Sequence, residues 1–258
     1  MRSSRDITRQ VVVISSTVFA LIGSFVGSGA AGGTPIQDAA GGALGATATL
    51  IAPDVPAFSI WGPIYLGLMA YAVWQALPGQ SAAARHRALG YPVAWSLVLN
   101  AAWILSIQFD LLWASVPIIA LLLAVLVRIF VIYVAQKPTG RFDAFITDGT
   151  MGLYLGWVCV ATAANVTAAL VAAGFTGWGF PAELWAITVV GVAAIVGIVL
   201  AWRGHGKIAP ALGLGWGLAW LAVGRLTGEL LSVPVGIAAI IGVILVLGST
   251  VVFRLRKA

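Results

Sequence analysis

Eight stretches of this chain each run for about 20 mostly apolar residues, the length an α-helix needs to cross a bilayer. They lie at approximately Val11 to Ala31, Phe58 to Leu77, Leu89 to Gln108, Leu112 to Val134, Phe145 to Ala172, Leu184 to Trp202, Ile208 to Thr227 and Val235 to Phe253. Hydrocarbon offers no partners for backbone N–H and C=O groups, so a segment in lipid must satisfy its own. The pattern therefore predicts an all-α, polytopic membrane protein of eight transmembrane helices. Composition agrees: 61% of the 258 residues are hydrophobic, 9% are charged, and mean hydropathy is +1.04. A soluble domain carries about 25% charged residues. Lipid is the solvent for most of this chain.

The charges that remain fix an orientation. Arg2, Arg5 and Arg9 precede the first run, Arg85 and Arg87 separate the second from the third, and Lys137 and Arg141 separate the fourth from the fifth. Arg203 and Lys207 join the sixth to the seventh, and Arg254, Arg256 and Lys257 end the chain. The alternate loops carry Asp38, Asp54, Asp110 and Glu183, with no lysine or arginine. Twelve of the 14 basic residues thus fall on one side, which the positive-inside rule makes cytoplasmic, with both termini there. The basic residues form no patch with interleaved aromatics, so the net charge of +6 is no sign of nucleic acid. A multi-pass protein of a cell membrane, bacterial inner or plasma membrane, is the expectation, with lipid as its first partner.

The first run resembles a signal peptide in its basic start, but it is longer than an h-region of 7–15 residues. Gly23, Ser24, Gly27 and Ser28 read instead as a small-residue packing face of a retained helix. The outer loop from Gly32 to Ala57, rich in Gly, Ala, Thr and Pro, is long enough to be either a flexible linker or a lid. Arg128 sits where its side chain reaches the cytoplasmic interface. Arg225, with Glu229 four residues on, reads as an interfacial ion pair or as a charge on a substrate path.

Candidate functional residues emerge from helical spacing. Trp157, Ala161 and Asn165 recur every four residues and share a face, which Tyr154 extends. Ser96, Asn100 and Trp103 share another, and Trp61 and Tyr65 stand one turn apart in the stretch "FSIWGPIY", with Pro63 tolerated in the first turn of its helix. Taking 1.5 Å per residue, Trp61, Tyr65, Asn100, Trp103 and Asn165 reach one level in the outer half, with Trp157 below as a floor. Amides in lipid must be paired, so Asn100 and Asn165 either join helices or meet a ligand. Trp216 and Trp220 also lie deep, whereas Trp74, Trp113, Trp178, Trp185 and Trp202 fit interfacial belts. Cys159 is alone, so no disulfide or thiolate metal site is expected, and His86 and His205 read as solvated in basic loops.

These motifs resemble those of the TspO/MBR family, the tryptophan-rich sensory proteins related to the translocator protein (peripheral benzodiazepine receptor). Gly62, Pro63 and Tyr65 match its second helix, Leu99, Asn100 and Trp103 its third, and Trp157, Val158, Ala161 and Asn165 its fifth. The resemblance covers roughly Val11 to Ala172, dividing the chain into a five-helix unit, 1–174, and a three-helix extension, 175–258. The outer loop lacks the family's basic, Trp- and Pro-rich character, Ile104 replaces a Ser, and Pro117 interrupts the fourth helix. What the resemblance implies is a receptor or carrier, not an enzyme, for a lipophilic small molecule such as a tetrapyrrole, with no other cofactor and a homodimer as a candidate assembly. The implied ligand set is Trp61, Pro63, Tyr65, Asn100, Trp103, Tyr154, Trp157, Ala161 and Asn165. A sterol-type pattern, Val131, Tyr133 and Lys137, is a weak signal.

Two other classes compete. A secondary transporter would use broken helices and central charges, for which the glycine-rich seventh helix and the Arg225/Glu229 pair are the motive. An intramembrane enzyme needs a nucleophile, base or metal cluster at depth, and the apolar runs hold no histidine and almost no carboxylate. Lys137, Lys207 and Lys257 stand at helix ends, which excludes a retinal Schiff base at mid-membrane.

Overall fold

The computed structural model describes residues 3–256; Arg2 and Lys257, two of the basic residues in the topology argument, lie outside the described residues. Eight helices among the described residues are long and apolar enough to cross a membrane. Their α-helices are α1 (Ser4–Gly27), α2 (Trp61–Trp74), α3 (Ala84–Gln108), α4 (Leu112–Ala135), α5 (Thr150–Ala172), α6 (Ala182–Arg203), α7 (Ile208–Thr227) and α8 (Val233–Leu255), the second span running Val55–Trp74 and the fifth Arg141–Ala172 with their lead-in turns. Each overlaps its sequence-predicted run, with ends displaced by up to seven residues. α1 starts seven residues early because Ser3 and Asp6 form a reciprocal capping box, Asp6 N–H to Ser3 Oγ at 3.3 Å and Ser3 N–H to Asp6 Oδ2 at 2.9 Å. α2 is led in by a 3₁₀ segment, Val55–Ile60. α5 is led in by the turn Arg141–Asp143 and a π segment, Ala144–Gly149. Pro117 does not end α4, which continues through it.

Small residues decide which helices touch. α1 lies along α3, and a Cβ on Gly23 or Gly27 would collide with Ala101 or Ile104, so the small-residue face is used as packing. α3 packs on α4, α4 on α5, and α2 closes the ring between α1 and α5. On the far side of α5, α7 approaches backbone to backbone. A side chain at Gly156 would fall on the Pro210 carbonyl and one at Gly213 on that of Leu153. Gly213 and Gly217 of the glycine-rich stretch of α7 are used in this contact. α8 then packs on both α7 and α6. The buried apolar side chains form two clusters, one within the α1–α5 ring and one centred on α6, α7 and α8.

The outer loop folds down onto the bundle. Leu44 and Ala39 join the first core and Ile51 joins the second. Arg225 of α7 is 1% exposed and donates to the carbonyls of Ala46 at 2.6 Å and Thr49 at 3.2 Å. Arg225 is therefore neither an interfacial partner of Glu229, which is exposed, nor a charge on an open path. It fastens the loop. Trp216 Nε1 donates to the Ala57 carbonyl at 2.9 Å, and Asp54 N–H to the Trp220 carbonyl at 3.3 Å.

The basic end of the bundle corrects a second expectation. His86 is not solvated in a loop; it lies in the first turn of α3, fully buried, with Nε2 3.7 Å from Asp143 Oδ1. Arg85 is bonded to Asp148 and lies 3.5 Å from Asp143, while Lys207 reaches Asp148 at 2.7 Å. Asp6 takes Arg87 at 2.7 Å. Several topology-setting cations are thus paired with carboxylates of α1 and of the α5 lead-in. Apolar periodicity gave no sign of these pairs, because the acids and bases come from different helices. His205 is exposed, as is Arg128. Tyr133 is 1% exposed, so the sterol-type pattern does not face lipid through its tyrosine.

Candidate functional site

The predicted aromatics converge where α2, α3 and α5 meet. Trp61 sits at their centre: its ring stacks on Tyr65 at 5.4 Å and on Trp103 at 6.4 Å, and meets Tyr154 and Trp157 edge-on at 5.9 and 6.3 Å. Phe58, from the turn that leads into α2, closes on Trp157 at 5.9 Å. Tyr154 and Trp157 are buried because α5 carries their stripe toward the ring's interior, and the Tyr154 hydroxyl donates to the Ser96 carbonyl at 3.3 Å. Such offset and edge-on contacts each add about 0.5–1.5 kcal/mol beyond area burial.

The polar groups divide into two kinds. Asn165 Oδ1 accepts from Trp103 Nε1 at 3.0 Å, and its Nδ2 donates to Ser115 Oγ of α4 at 2.8 Å. Asn100 Nδ2 donates to the Tyr65 hydroxyl at 2.6 Å, but its Oδ1 has no partner although the residue is 1% exposed. Trp157 Nε1 is likewise buried and without a partner. Pro63 is the exception among the predicted residues: it is exposed, in the first turn of α2, and does not join the cluster.

A cavity of ≈ 30 Å³ lies beside this cluster, lined below by Phe58, Trp103, Trp157 and Ala161. Its roof is the outer loop, through Leu44, Thr49, Ala52 and Pro53. Sequence reasoning missed the roof residues, Ser115 and the Arg225 latch. No periodic signal marks them; the loop's Gly- and Ala-rich composition suits a linker as well as a cap.

A family model described as TSPO-like protein matches residues 12–252. The chain belongs to the TSPO-like family. No curated protein and no solved structure matches it. The match runs past Ala172 through all eight helices, so in this TSPO-like protein α6, α7 and α8 fall within the family pattern. A polytopic membrane architecture, helices only among the described residues, goes with that membership.

Proposed function

We propose that this TSPO-like protein is a membrane receptor or carrier for a flat, lipophilic small molecule, with a tetrapyrrole as the leading class. The observation that carries the reading is the pair of buried, unpartnered atoms in the aromatic cluster, the Trp157 indole N–H and the Asn100 Oδ1. Buried polar groups are paired in the large majority of cases. An open donor and an open acceptor among stacked rings match the few convergent polar groups of a mostly apolar ligand site. The aromatic faces would take a ring system and the two open atoms its polar edge.

The cavity of ≈ 30 Å³ has room for little more than a water molecule. A ring ligand therefore requires the capping loop to lift and Trp61 to yield its place. The secondary-transporter reading has less support, since Gly213 and Gly217 of α7 pack on α5 and Arg225 bonds the loop.

The reading is tested by tryptophan quenching with a porphyrin in detergent. Saturable quenching is expected, with Trp157→Phe removing a large part of the signal and Asn100→Leu weakening affinity while the protein stays folded. Absence of saturable quenching by any tetrapyrrole or sterol would sink it.

A further inference from the structure

At the basic end of the bundle, well away from the aromatic site, an open groove of ≈ 860 Å³ lies between the start of α1 and the first turns of α3. Its lining includes Ser3, Arg5, Asp6, Arg9, Arg87 and Tyr91. Among the described residues, three guanidinium groups and one carboxylate line it, so its lining is net positive. Asp6 is committed to Arg87, whose Nε and Nη2 each donate to it at 2.7 Å. Arg9 is only 2% exposed; it gives Nη2 to the Ser81 carbonyl at 2.8 Å and Nη1 to Asp6 at 3.4 Å, yet its Nε has no partner. A buried guanidinium N–H left open in a basic groove calls for an acceptor from outside the chain.

The surroundings say what kind. On α3, Arg87, Tyr91 and Trp95 recur every four residues along one face, and Tyr91 and Trp95 are exposed, Trp95 at 62%. The groove is thus polar and cationic at the helix starts and continues along that face of α3 into bare aromatic side chains. Only an amphipathic anion complements both halves. We propose that the groove binds the headgroup of an anionic phospholipid, its phosphate on Arg5, Arg9 and Arg87 and its acyl chains along the Tyr91–Trp95 face of α3.

The test uses the full chain in detergent, stripped of lipid, with retention of added phosphatidylglycerol or phosphatidylcholine read by native mass spectrometry. One phosphatidylglycerol should be held in clear preference to phosphatidylcholine. Arg5 is exposed, so Arg5→Glu leaves the fold intact, checked by its melting temperature. It should lower phosphatidylglycerol retention about fivefold or more, the scale of one basic residue at an anionic surface, while Arg5→Lys keeps it. Equal retention of the two lipids by the wild type, or an unchanged preference in Arg5→Glu, would overturn the proposal. Full displacement by millimolar inorganic phosphate would also overturn it, by making the groove a site for a soluble anion.

Discussion

The Trp103 indole donates to Asn165 Oδ1 at 3.0 Å, and the same amide donates onward to Ser115. Asn165 is thereby a joint between α3, α4 and α5. Asn100, one turn from Trp103 on the same helix, keeps its carbonyl oxygen open. Two amides that look equivalent along the chain are placed differently: Asn165 has both ends of its amide bonded across helices, whereas Asn100 joins α3 to Tyr65 of α2 and keeps Oδ1 without a partner.

Asn165→Leu is expected to destabilise the bundle, since it strands the Trp103 N–H and leaves the Ser115 hydroxyl only the Leu112 carbonyl. Each buried group left unpaired costs about 1–3 kcal/mol. Its melting temperature in detergent should fall well below that of Asn100→Leu. Equal losses in the two variants would contradict the division of roles.

Arg225→Met should loosen the cap. The substitution keeps much of the apolar stem and removes the donors to Ala46 and Thr49. Limited proteolysis within residues 43–53 is expected to accelerate by about tenfold, the equivalent of about 1.4 kcal/mol in the opening equilibrium. Porphyrin association should quicken in parallel. A cap that stays resistant would mean that Trp216 and the Asp54–Trp220 contact suffice to hold it.

Gly213→Val is expected to separate α7 from α5, because no side chain fits against the Leu153 carbonyl. Truncation after Gly174 removes the same contact together with Arg225. Both should yield protein with a low melting temperature and an open cap, measured by thermal denaturation and by proteolysis. A truncated chain that stays folded with its cap protected would show the α1–α5 ring to be self-sufficient.

Topology is checked with reporter fusions. Fusions after Gln80, Gly140 and Gly204 should read cytoplasmic, and fusions after Gly42 and Gly177 external, as the lysine and arginine distribution requires. An external reading after Gly140 would break the assignment of an even number of helices with both ends inside.

Hydrophobic run length alone determined the eight helices, because every backbone group in lipid must be bonded within its own segment and this makes the local pattern decisive. Spacing along single helices also placed Trp61, Tyr65, Asn100, Trp103, Tyr154, Trp157 and Asn165 on shared faces, and those faces do meet. Tertiary structure decided what faces from different helices do to one another. It made Asn165 a joint and left Asn100 open, took Arg225 from Glu229 to the carbonyls of a distant loop, and buried His86 against Asp143. It also turned a linker-like loop into a roof and the α7 glycines into a backbone contact with α5. Each of these pairings joins residues tens of positions apart, where helical periodicity carries no information and close packing alone selects the partner.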